Sequence, residues 1–109
     1  MRAVPKPAKF RAVVPKDLKD LVPIFLRNRK KELGALRKAI ARADFQELQH
    51  LSHRMRGVGE PYGFPDVSSI GGQIEQFARR KDAPSLAKLL GRYAEYLSNV
   101  RISYGPRSE

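Results

Sequence analysis

From Asp17 to Ile102 the apolar residues recur at intervals of three and four, and nowhere do they alternate two by two over a sustained stretch. That period belongs to helices with one buried face, so strands are not expected in this region. Leu18, Leu21, Val22, Phe25, Leu33, Leu36 and Ile40 share one stripe that contains Pro23. The spacing predicts a short helical segment from Asp17, then a long helix over residues 23–43. Asp44, with Glu47 three residues on, reads as a capping box that opens a second helix ending near Val58. The run Gly59-Glu60-Pro61-Tyr62-Gly63-Phe64-Pro65 interrupts it. Val67, Ile70, Ile74 and Phe77 mark a third helix that starts around Pro65 and Asp66. Asp82 caps a fourth over residues 83–102, with Leu86, Leu89, Leu90, Tyr93, Leu97 and Val100 facing inward. The expected fold is all-α: an antiparallel four-helix bundle with a short extra N-terminal helical segment.

The flanks read differently. Residues 1–16 hold Arg2, Lys6, Lys9, Arg11 and Lys16, no acid, and three spaced prolines. They predict an extended, flexible basic tail, followed by the bundle over 17–103 and a frayed end over 104–109. With 109 residues there is room for one domain. An ATP-binding domain beside a substrate domain does not fit, so an enzyme with its own ATP site is not expected. The absence of Cys removes disulfides, thiolate metal sites and Cys nucleophiles. No apolar run approaches the ~20 residues of a membrane span, and the start lacks an apolar signal region, so a cytoplasmic protein without a membrane partner is expected.

The formal net charge of +11 raises nucleic acid as a partner. A small basic helical nucleic-acid-binding protein is the alternative reading, supported by the tail, by Arg27, Arg29, Lys30 and Lys31, and by Arg79-Arg80-Lys81. Against it, Tyr93 and most Phe residues fall on apolar stripes rather than on an exposed stacking or base-reading face. Tyr62 and Phe64 are expected to cover the end of the bundle.

The second helix carries both histidines. On a helical wheel Phe45, Leu48, Leu51, Ser52, Met55 and Val58 fall on one side. Gln46, Gln49, His50, His53, Arg56 and Gly57 fall on the other. His53 lies nearly opposite the apolar centre, one turn from Arg56 and Gly57. A mid-helix glycine costs about 1 kcal/mol relative to Ala. On a polar face it leaves a flat spot over which another molecule can approach. An imidazole is a competent nucleophile near neutral pH, and a guanidinium at i+3 can hold phosphoryl oxygens. No Asp or Glu of this helix face stands one turn from His53 to orient it. His50 and His53 have the spacing of a metal pair, but Arg54 and Arg56 would repel a cation, so no metal is expected.

His53-Arg54-Met55-Arg56-Gly57, then Tyr62-Gly63-Phe64, then Ile70-Gly71-Gly72-Gln73-Ile74-Glu75, resembles the signature of histidine-containing phosphotransfer domains. The resemblance runs from about Leu18 to Val100 and implies a carrier in a two-component phosphorelay. His53 stands at the phosphorylated histidine and Arg56 where the family usually has Lys, positioning the phosphate. Gly57 matches the adjacent glycine, Gly63 the turn glycine ten residues after His53, and Ile74-Glu75 a Leu-Glu-like pair. Met55 replaces the usual Leu. A receiver domain, in a response regulator or hybrid histidine kinase, would deliver the phosphoryl group from an aspartate to Nε2, and another receiver would remove it. The resemblance places Mg²⁺ and the catalytic carboxylates on the receiver, with no cofactor on this chain, which is expected to be a monomer. Gln46, Gln49, His50 and Gly57 are the expected docking ridge. The dimerising core of histidine kinases matches less well, because the Thr-Pro step after the histidine is missing.

Overall fold

The computed structural model describes residues 10–107. Strand β1 (Arg11–Pro15) leads into a 3-10 turn over Lys16–Leu21. Four helices follow: α1 (Val22–Ala41), α2 (Phe45–Gly59), α3 (Pro65–Arg79) and α4 (Ala83–Asn99). Strand β2 (Arg101–Gly105) closes the chain, and a second 3-10 turn, Glu60–Tyr62, links α2 to α3.

The helix boundaries follow from local chemistry. Pro23, Pro65 and Pro84 lie in first turns, where a missing N–H costs nothing. The Asp44 carboxylate accepts from Glu47 N–H at 3.1 Å, and the Asp82 carboxylate accepts from Ser85 N–H at 3.2 Å. Each of these caps follows a residue in the left-handed region, Ala43 and Lys81, both at φ 54°. The Asp44 N–H donates to Ala39 O and the Asp82 N–H to Phe77 O, closing the preceding helices. One αL residue plus one capping Asp thus makes each of two tight reversals.

The core draws on all four helices. Leu36 from α1, Leu48 and Met55 from α2, Val67 and Ile74 from α3, and Leu86, Leu90 and Tyr93 from α4 are buried. Each large apolar side chain so buried contributes roughly 1.5–3 kcal/mol. Phe64 and Tyr62 close one end by stacking on Phe25, with ring centroids 4.7 and 5.0 Å away.

The all-α, four-helix class holds, with one departure. Strands were not expected, yet β1 and β2 pair in parallel, Arg11 opposite Arg101 through Pro15 opposite Gly105. A parallel pair needs a long crossover, and here the whole bundle is that crossover. Of the expected basic tail, residues 1–9 lie outside the described residues. Residues 11–15 form strand rather than arm, because Ala12 and Val14 alternate inward onto the core while Arg11 and Val13 stay exposed. At the other end α4 stops at Asn99, not at 102. Val100 turns extended at ψ 129° and leads Ile102 and Tyr104 into β2, so the end expected to fray from 104 is paired as far as Gly105. Residues 108–109 lie outside the described residues.

Candidate functional site

Two glycines and a serine bring α3 against α2. A Cβ on Gly71 would stand 2.9 Å from Met55 Cβ and 3.0 Å from both Ser52 O and Arg56 N. Only a bare backbone fits there. One on Gly59 would stand 2.5 Å from Ser68 N. Ser68 Oγ donates to Arg56 O and accepts from Glu60 N–H, each at 2.9 Å, tying the two helices together where α2 ends.

One turn beyond Gly71 this contact delivers Glu75 to the polar face of α2. Its side chain is only 10% exposed and has three basic neighbours. Arg56 Nη1 donates to Glu75 Oε1 at 2.6 Å. His53 Nδ1 lies 3.6 Å from Oε2, and Arg79 Nη2 lies 3.6 Å from the same oxygen. The Arg56 hydrogen bond, outweighing partial burial, holds the Glu75 carboxyl below the usual carboxylate range, helped by the charges of Arg56, Arg79 and His53. His53 itself is 74% exposed. Its Nδ1 is the nitrogen turned toward Glu75, which leaves Nε2 as the other edge.

The expected site residues separate into four groups. Gln46, Gln49 and His50 line one open depression with His53, joined by Asp44, Glu47 and Glu75. Arg56 belongs to a neighbouring depression, with Gly72, Gln76 and Arg79, and the two share Glu75. The Arg56 side chain passes over Gly72, whose missing Cβ would lie 3.8 Å from Arg56 Cδ. Gly57 opens on empty space, since a Cβ there would meet nothing within 4 Å.

Gly63 sits at φ 88° as the turn residue after Tyr62, and a Cβ would fall 2.8 Å from Val13 O and Val14 Cα. The turn glycine is therefore also the seat of β1.

Sequence reasoning finds no Asp or Glu on the α2 face one turn from His53, and none stands there; in the folded chain the carboxylate arrives from α3, as Glu75. Arg79 was counted only in a basic run, and it too converges on Glu75. The signal was present in the Ile74-Glu75 pair and in the adjacent Gly71-Gly72, which read as a place where another helix comes close.

Among the described residues no group of three His, Cys, Asp or Glu could hold a metal ion, and no helix is long and apolar enough to cross a membrane. No curated protein and no solved structure matches the chain. The Hpt domain family profile matches residues 20–102, taking in all four helices and the His53 ridge and leaving β1 outside. The chain belongs to the Hpt domain family, the histidine phosphotransfer bundles of phosphorelays.

Proposed function

We propose that His53 accepts a phosphoryl group from an aspartyl phosphate of a receiver domain and passes it to a second receiver. The observation that carries this reading is the Glu75 carboxylate on the Nδ1 side of an otherwise exposed imidazole. With Nδ1 carrying its proton toward Glu75, the lone pair rests on Nε2, the edge open to a partner. Nε2 attacks phosphorus in line, the N–P bond forms, and the P–O bond to the aspartate breaks with its electron pair returning to the carboxylate. The product is a phosphoryl imidazolium whose positive charge faces Glu75. Attack on that group by the next receiver's aspartate returns a neutral imidazole.

Arg56 and Arg79 supply positive charge beside the transferring group. Nη1 of Arg56 is committed to Glu75, and the remaining guanidinium N–H groups reach for phosphoryl oxygens. Mg²⁺ and the acid–base carboxylates belong to the receiver, so the chain works as a carrier without an ATP site, as a monomer in the cytoplasm. Gln46, Gln49, His50 and the open surface at Gly57 form the docking ridge, and the basic surface steers the chain toward an acidic partner.

Incubation with phosphorylated receiver domains tests the reading. Acid-labile, base-stable label is expected on the native chain and none on His53→Gln. Label that survives in His53→Gln overturns it.

A further inference from the structure

The outer face of α1 has no part in the phosphotransfer reading. Phe25, Leu33, Leu36 and Ala39 mark the buried stripe of this helix. On the opposite side Arg27, Lys30, Lys31, Arg37, Lys38 and Arg42 fall within an arc of about 140°, and all six are exposed. From Arg27 to Arg42 they extend about 22 Å along the axis. None of the six is in an ion pair with another described residue. The one acid of the helix, Glu32, does not relieve them. Its side chain is only 10% exposed and is paired with Arg29 at 3.4 Å.

Gly34 lies at the centre of this face. Lys30 and Lys31 stand one turn before it and Arg37 and Lys38 one turn after it, so four cations surround it on the helix surface. A Cβ on Gly34 would meet nothing within 4 Å. No neighbouring helix therefore calls for glycine here, and glycine inside a helix weakens it. Like charges one turn apart, Arg27 with Lys31 and Lys38 with Arg42, weaken it further. The result is a bare patch of backbone ringed by cations, kept at a cost to the helix.

The occupant follows from what the face holds and lacks. It carries one sign of charge over a length that exceeds any single anionic group. Each strand of a nucleic-acid duplex presents a phosphate about every 3.4 Å of axis, so such a face meets several at once. Between Arg27 and Arg42 the arc contains, besides the cations, only Gly34 and Ala41. It offers no aromatic ring for unpaired bases to stack on and no large apolar side chain to enter a lipid surface. Backbone contacts need no base-reading side chain.

We propose that the outer face of α1 binds the phosphodiester backbone of a nucleic-acid duplex irrespective of sequence, with phosphates seated over Gly34 among Lys30, Lys31, Arg37 and Lys38. This surface belongs to α1 and the His53 ridge to α2, so the two activities separate by mutation.

Fluorescence anisotropy of a labelled random-sequence DNA duplex of about 20 base pairs, titrated with the full chain, tests this. Saturable binding is expected at about 50 mM salt, weakening about 100-fold by about 200 mM for four phosphate contacts. Lys31→Gln with Lys38→Gln should weaken binding and lower the salt slope by about 2. Lys88→Gln with Arg92→Gln, an equal loss of charge at exposed positions of α4, should change both little. Gly34→Glu sets a carboxylate among the four cations. It should raise the melting temperature and weaken the duplex at least about tenfold. His53→Gln should bind as the native chain does. No saturable binding at the lower salt overturns the proposal, as does an equal effect of the two double variants or native binding by Gly34→Glu. Tighter binding of single-stranded DNA also overturns it. So does displacement of the duplex by polyglutamate or phosphatidylserine vesicles at equal charge concentration.

Discussion

Arg56 donates to Glu75 across the α2–α3 contact at 2.6 Å, and the other carboxylate oxygen of Glu75 stands 3.6 Å from His53 Nδ1. One carboxylate thus holds a guanidinium with one oxygen and faces an imidazole with the other. Orientation of the nucleophile and placement of the nearest cation depend on the same side chain. Replacing Glu75 with Ala is expected to slow transfer from a phosphorylated receiver by at least about tenfold, through loss of orientation. Transfer at the native rate in this variant would remove Glu75 from the mechanism.

The same carboxylate makes stability depend on acid. Its pKa in the fold is held below the unfolded value, which is about 4.3. The folded chain therefore keeps the proton off where the unfolded chain takes it up. The resulting stabilisation is fully present above the unfolded pKa and is lost as pH falls through the folded pKa. Urea unfolding across the acid range should show the native chain losing stability below about pH 4.3 more steeply than Glu75→Gln.

Gly57, in the last turn of α2, and Gly71, in the middle of α3, answer opposite demands. Ala at 57 enters open space and should raise stability by about 0.5–1 kcal/mol. A bulky Leu there should leave the fold intact and slow receiver-dependent transfer. At 71, Ala must push against Met55 Cβ and two backbone atoms. It should cost about 1–3 kcal/mol and displace Glu75 from His53. Thermal melts paired with transfer rates separate the two: one glycine serves a partner, the other serves the fold.

Val14 is fully buried, outside the segment that matches the family profile. Its strand packs on Gly63, the turn that follows α2. Val14→Asp buries an unpaired carboxylate and is expected to lower the melting temperature strongly. An unchanged melting temperature would mean that β1 adds nothing to the bundle.

The helices were legible because their signals are local. Asp44 and Asp82 cap through their own side chains, and the apolar stripes need no knowledge of neighbours. The reversals at Ala43 and Lys81 gave no such sign, since neither is the glycine that an αL position favours. The strands were hidden for a different reason. Five residues hold too little alternation to register, Val13 blurs it by being apolar and exposed, and the partner strand lies at the other end of the chain. In the site, His53, Arg56 and Gly57 could be read from one wheel. Glu75 could not, because its contact with His53 is set by how closely Gly71 lets two helices approach.

Linkage of the phosphoryl group is the most direct measurement. The chain, carrying isotope-labelled histidine and phosphorylated by a receiver, would be observed by phosphorus and nitrogen NMR. A single phosphohistidine at His53, bonded through Nε2 with the Nδ1 proton retained, is the expected result. Phosphate on Nδ1, on His50, or on no histidine at all would contradict the arrangement in which Glu75 holds one edge of the ring and leaves the other to react.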